Sequence, residues 1–210
     1  MQALISPIPN PFAHFVKQMW ADIQAELGVE QVWKDLLPHF TWQVCESYDS
    51  NDLIPLLDAI CKKTKPFFVE TTGFDHFDND KVVLFNGIKP EPQLKALHDE
   101  LWQLATPYMK GSEAYHYYHP ELWHPHITIA SKDMTLETML AASELLDHWD
   151  THWRFEVNRI LLASQDAQNE FVTKYAFRLG EGLIFSFTDA IEKPDDGIVT
   201  LKGDLGLPKV

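Results

Sequence analysis

The tetrapeptide Pro-His-apolar-Thr occurs twice in this chain, each time at the head of an alternating segment: LPHFTWQV (Leu37 to Val44) and HPHITIAS (His124 to Ser131). With 13 Pro and 10 His among 210 residues, two copies arise by chance in on the order of one such chain in a thousand. Residues i and i+2 of a strand face the same side. His39 and Thr41 therefore share a face opposite Phe40, Trp42 and Val44, and His126 and Thr128 share one opposite Ile127 and Ile129. Each segment reads as a strand that buries its apolar side and presents an imidazole beside a hydroxyl. Proline suits the first position of a strand, where its missing N–H costs least. Helix, strand-pair and helix signals recur loosely around each motif and point to an internal duplication. If its halves pack about a pseudo-twofold axis, the two His/Thr pairs face each other across a cleft.

The rest of the chain supplies elements of matching kinds. ALISPI is a short apolar strand, and Asn10 and Pro11 read as the cap and first residue of a helix. Phe12, Phe15, Met19, Ile23 and Leu27 line that helix, and Gly28 stops it. Ser50 caps a helix with Leu53, Leu56, Leu57 and Ile60 on one face. PFFVETTGF and KVVLFNGI are strands joined by the polar link DHFDND. Leu94, Leu97, Leu101 and Leu104 mark another helix, and Asp133 or Thr135 opens a last one running to about His148. RFEVNRILLAS, the turn QDAQNE and FVTKYAFRLG suggest a closing hairpin. Helices alternate with strands that also arrive in adjacent pairs, which predicts an α+β fold with antiparallel sheet rather than a doubly wound one. One domain is expected over residues 1–182. Residues 183–210 form an extension of mixed character that either adds a strand or hangs loose.

Composition bounds the partners. Seventeen Lys and Arg stand against 31 Asp and Glu, a net charge of −14. Long nucleic acids are held mainly by cations that neutralise phosphates, so binding along an extended duplex is not expected, whereas a small anion in a local cleft is compatible. No apolar run approaches the roughly 20 residues that span a bilayer, and MQALISPIPNPF does not read as a secretory signal. No membrane partner is expected, and a monomer is favoured. Cys45 and Cys61 are able to pair in principle, but two lone thiols fit buried residues in a reducing compartment, and a cytoplasmic location is the expectation.

Two imidazoles and two hydroxyls on rigid strands suit phosphodiester chemistry. Hydrolysis needs a base for the attacking water and an acid for the leaving oxygen. Imidazoles titrating near neutrality can hold those complementary states together. Charge grows on the non-bridging oxygens, where threonine hydroxyls are suitable donors. Neither a metal nor another cofactor is required.

The paired PHFT and PHIT motifs resemble the signature of the two-histidine (2H) phosphoesterases, the group that includes the 2′-5′ RNA ligase-like proteins. KPFFVETTGFDHFDNDKVVLFNGI, between the motifs, and the closing FEVNRILLAS and FVTKYAFRL resemble that family as well, over roughly residues 1–182. The resemblance implies a bilobal α+β fold in which duplicated antiparallel sheets and flanking helices surround a central cleft. It also implies metal-independent opening of 2′,3′-cyclic phosphates or related diesters of nucleotides or RNA ends. His39 and His126 would be the acid/base pair, and Thr41 and Thr128 the phosphate ligands. Where many members carry arginine, as H-x-T-x-x-R, this chain has Ser131 followed by Lys132. A protein that binds nucleotides or RNA ends with little turnover, or a 2′-5′ RNA ligase, would use the same cleft.

The remaining candidates surround the second motif. His116, His119, His124 and His126 are spaced H-x2-H-x4-H-x-H, which admits a metal-dependent hydrolase, although the spacing matches no familiar zinc motif. His124, two residues before His126, falls on its face if the strand extends so far. Lys132 is the nearest cation for a phosphate. Tyr115, Tyr117, Tyr118 and Trp123 either pack against the sheet or offer a stacking surface to a nucleobase. Phe67, Phe68, Phe74 and Phe77 read as packing.

Overall fold

The computed structural model describes residues 1–29, 37–78, 82–111, 113–131, 134–165 and 171–186, with backbone alone at residues 78 and 113–115. In chain order, β1 (Gln2–Pro7) leads to α1 (Phe12–Leu27), β2 (His39–Cys45), a short β3 (Ser47–Tyr48) and α2 (Ser50–Lys63). Next come β4 (Phe67–Asp78), β5 (Val82–Ile88), α3 (Pro92–Ala105) and a short β6 (Met109–Lys110). β7 (His126–Ala130), α4 (Leu136–Leu145), β8 (Arg154–Val157), β9 (Arg159–Gln165), β10 (Phe171–Arg178) and β11 (Gly182–Ser186) complete the described fold. Local signals explain the helix ends. Gly28 takes the left-handed conformation, φ 66°, that closes α1. Thr135 caps α4 in a reciprocal box with Thr138. That helix stops at Leu145, before the expected His148.

Nine strands form one antiparallel sheet in the order β11-β10-β9-β1-β2-β7-β5-β4-β8, and β3 pairs with β6 apart from it. The motif strands β2 and β7 are neighbours at its middle, joined by one bridge, Phe40 to Ile127. On either side the halves correspond. β1 flanks β2 and β5 flanks β7. The Ile8 N–H donates to the Pro38 carbonyl, and the Ile88 N–H donates to the Pro125 carbonyl, each at 2.8 Å. The proline of each motif thus ends its strand with its one polar group satisfied.

The halves exchange their outer strands. β4, after α2, joins β5, whereas β9, after α4, joins β1. This corrects the reading of RFEVNRILLAS as one arm of the closing hairpin. β8 pairs with β4, and after Asn158 the chain continues as β9, which pairs with β1 and β10. An unbroken alternation on paper cannot show that its two ends have different partners. Neighbours in sequence yet far apart in strand order, β8 and β9 require the sheet to curl strongly. Within the expected extension, β11 pairs with β10 at the sheet edge; residues 187–210 lie outside the described residues.

One face of the sheet carries the larger core. Leu4, Phe40, Trp42, Ile127 and Ile129 pack there with Val16 and Met19 of α1, Leu57 of α2, Leu97 of α3 and Met139 of α4. A smaller apolar cluster, Ala3, Ile5, Val44, Leu161, Ala163 and Ala176, lies on the opposite face of β1, β2, β9 and β10. Val44 was expected beside Phe40 and Trp42, but the β1–β2 register shifts by one residue between Leu4 and Ile5, and this bulge turns Val44 to the other face. Their alternation along each strand with residues of the larger core fixes which side chains share the motif histidines' face. Cys45 and Cys61 are buried free thiols, both pushed up to about 12 by desolvation.

Candidate active site

The bridge between Phe40 and Ile127 sets the geometry of the site. One step along these antiparallel strands puts His39 opposite Thr128 and Thr41 opposite His126, all on the face away from Phe40 and Ile127. The apolar pair is fully buried, while the four polar residues keep partial exposure. They form a square in which imidazole and hydroxyl alternate, with the histidines on a diagonal. Such diagonal positions lie about 7–8 Å apart across a sheet. No other register gives this arrangement, because a slip of one residue sends one pair into the core.

The two imidazoles are held alike. His39 Nδ1–H donates to the Leu37 carbonyl at 2.8 Å, and His126 Nδ1–H donates to the His124 carbonyl at 2.7 Å. A carbonyl only accepts, so each bond places the ring proton on Nδ1 and leaves Nε2 bare in the neutral form. Burial lowers the pKa of His39 below its ordinary 6.5. Burial, with smaller contributions from His124 and His39, lowers that of His126 to about 4. Both rings are therefore neutral bases at neutral pH in the unliganded protein.

Behind the square, indole N–H groups reach the backbone of both threonines. Trp123 Nε1 donates to the Thr41 carbonyl at 2.9 Å, and Trp20 Nε1 donates to the Thr128 carbonyl at 3.4 Å. Trp123 also stacks on the buried His98, with ring centroids 3.8 Å apart and planes 2° from parallel. It packs with the larger core beside Trp42. Trp123 thus braces the first motif, following the packing alternative of the two expected for it. Trp20 escaped sequence reasoning because its position on α1 carries no signal of a strand more than a hundred residues away.

The flanks of the square differ. On the β7 side, Gly87 lies opposite His126 and Phe85 opposite Thr128. Phe77 and Phe85 each stand 5.1 Å from the His126 ring, and both also contact His124. His124 thus joins the aromatic edge of the cleft, and Phe77 borders the site as well as packing. On the β2 side Pro7 lies opposite His39. Tyr118 packs on the small apolar cluster of that face. The backbone of Tyr115 lies in the 3₁₀ turn Glu113–Tyr118; its side chain, and Lys132, lie outside the described residues.

The spaced histidines do not converge. His119 packs edge-on against Trp102, His116 lies against Tyr117, and His124 lies against Phe77 and Phe85. Among the described residues, no three His, Cys, Asp or Glu side chains are grouped to hold a metal ion.

Comparison with known proteins agrees with this architecture. The model of the 2′-5′ RNA ligase superfamily matches residues 9–169. A crystal structure of a Thermus thermophilus protein superposes with a TM-score of 0.55 at 14% identity, covering 85% of this chain and 97% of that one. Escherichia coli LigT complexed with 3′-AMP gives a TM-score of 0.53 at 13% identity, and its complex with NADP+ gives 0.54 at 16%. Both cover 85% of this chain and 97% of LigT. At these identities the likeness is one of fold. No curated protein matches in sequence.

Proposed function

Because the chain belongs to the 2′-5′ RNA ligase superfamily, we propose that it is a metal-independent phosphodiesterase opening 2′,3′-cyclic phosphates, or related diesters, of small nucleotides or RNA ends. The observation that supports this reading is the Phe40–Ile127 register, which sets two imidazoles, each held at Nδ1 by a carbonyl, and two hydroxyls on one face of neighbouring strands. The small-nucleotide complexes of LigT, with 3′-AMP, ATP and NADP+, support the substrate class.

The chemistry follows from the square. An anionic phosphodiester between the rings opposes the desolvation that keeps them neutral and draws one proton onto one Nε2. The other Nε2 accepts a proton from water as the water oxygen attacks phosphorus. The protonated ring then donates to the departing ribose oxygen, and the P–O bond of the ring opens to a monoester. Charge accumulating on the non-bridging oxygens meets the Thr41 and Thr128 hydroxyls, which need little reorganisation because both sit on paired strands. The pseudo-symmetry leaves the acid and base roles open to either histidine. An RNA 5′-hydroxyl attacking the cyclic phosphorus in place of water, with the ribose 3′-oxygen leaving, would give a 2′-5′ diester, a ligation.

The test is turnover of 2′,3′-cyclic nucleotides by protein treated with chelator, followed as monoester product. The rate should survive chelation, and the profile of rate against pH should be bell-shaped. Binding without product across 2′,3′-cyclic, 2′-5′ and 3′-5′ diesters would overturn the assignment in favour of a nucleotide-binding protein with the same cleft.

A further inference from the structure

The sheet register that assembles the square continues outward from His39, and what it meets there is cationic. His39 lies opposite Pro7. The pairing of Ile5 with Leu161, carried on by one strand repeat, puts Pro7 opposite Arg159. Arg159 lies opposite Arg178. The row on this face therefore runs His39, Pro7, Arg159, Arg178. Leu161 and Ala176, each two residues from one of these arginines, belong to the apolar cluster of the same face, so the alternation holds on both outer strands. The corresponding row from His126 runs through Gly87 and Gly73. One histidine is flanked by two arginines, and its twin by two glycines.

Like charges directly opposite each other on one sheet face are destabilising. Arg178 is partly neutralised by Glu181, to which its Nη1 donates at 3.1 and 3.3 Å. Arg159 is half-buried with its Nε out of solvent, and burial together with the charge of Arg178 lowers its pKa. A chain with only 17 cations in 210 residues places two in register beside its reaction centre. It also has Ser131 where the H-x-T-x-x-R pattern has its arginine.

We propose that Arg159, seconded by Arg178, forms a subsite for a second phosphate of the substrate. Two strand spacings, about 10 Å, separate the backbones at His39 and Arg159, and an arginine side chain shortens that gap to the length of one nucleotide unit. The guanidinium fork matches phosphate oxygens. Pro7 between the two rows is compact and adds no competing charge. The preferred ligands are then cyclic phosphates that carry a further phosphate on the same nucleotide or the next, an RNA end included, over bare nucleoside cyclic phosphates. This specificity rests on the phosphodiesterase reading above.

The experiment compares adenosine 2′,3′-cyclic phosphate with the same compound bearing a 5′-phosphate. Wild type should favour the 5′-phosphorylated compound in kcat/KM by about ten-fold or more, the scale of charge-assisted hydrogen bonds. Arg159→Gln should collapse that ratio towards one, through loss on the phosphorylated compound. Arg178→Gln should reduce it less, and Arg159→Lys should retain part of it. Equal ratios in wild type and Arg159→Gln, or equal losses on both compounds, would overturn the subsite. If neither compound turns over, the reaction has failed but the subsite is still read by calorimetry with adenosine 3′,5′-bisphosphate and adenosine 3′-phosphate. A preference for the bisphosphate that Arg159→Gln removes supports it, and no preference in wild type sinks it.

Discussion

The β2 and β7 sides of the site present the same chemistry in different settings. Each offers an imidazole held by a carbonyl two residues earlier, a hydroxyl two residues later, and an indole on the threonine carbonyl. Beyond that, His39 is followed across the sheet by Pro7 and the arginines, while His126 is followed by Gly87 and bordered by Phe77 and Phe85. The shared parts are those to which the proposed reaction assigns proton movement and the charge on phosphoryl oxygens. The unshared parts are those able to tell one end of a substrate from the other. A duplicated scaffold thus keeps its reaction centre symmetric and makes its flanks different.

The comparison can be broken most severely at the histidines. His39→Ala and His126→Ala should each lower kcat for cyclic phosphate opening by about 10²–10⁴-fold. The double variant should be scarcely worse than either single one, since acid and base act as a unit. Turnover near wild type in either single variant would show that the two sides are not equivalent partners. Next in size, Thr41→Val and Thr128→Val should each cost about 10²-fold in kcat, the scale of one oxyanion donor. Unequal losses would locate the non-bridging oxygens nearer one strand.

A third test addresses the buried imidazole behind Trp123. His98 is 1% exposed, and burial lowers its pKa to about 4. Its folded value lies below its unfolded one, so the unfolded chain takes up more protons between those two values. Its contribution to stability is therefore lost as pH falls from about 6.5 towards 4. Between pH 7 and 5 this group alone accounts for about 2 kcal/mol of lost stability. Chemical denaturation at both pH values, with His98→Phe to keep a ring against Trp123, should show a smaller acid loss in the variant. An identical loss would remove His98 from the account. Smallest of all, Trp123→Phe keeps the stack but deletes the donor to the Thr41 carbonyl. About 1 kcal/mol is expected, read as a several-fold fall in kcat with KM little changed. A comparable variant at Trp20, whose bond is longer, should cost less.

The candidate site's pairing of His and Thr was legible because both of its ingredients are local. The period of two in PHFT and PHITIAS determines by itself which side chains share a face, and it fails only at Val44, beyond the bulge in β2. The repetition of the motif identifies the pair worth comparing among ten histidines. The same crowding that made YHYYHPELWHPH look like a metal cluster carries no positional information, and its rings disperse onto Trp102, Tyr117, Phe77 and Phe85. Trp123 was visible, but whether it packs or stacks on a ligand stayed open. Being next to the motif in sequence says nothing about which side of the sheet a loop residue enters.

By itself the sequence determined the α+β class, the end of α1 at Gly28 and the two His/Thr faces, and it left the start of α4 between Asp133 and Thr135. Tertiary structure alone decided the register of β2 against β7, the exchange of β4 and β9 between halves, and the break at Asn158. It also decided the alignment of Arg159 and Arg178 with His39. The physical reason is that facing within a strand follows from backbone geometry a few residues long. Pairing between strands joins residues up to 162 positions apart, as Gln2 and Ser164 are, and is selected only when the whole apolar surface is buried at once.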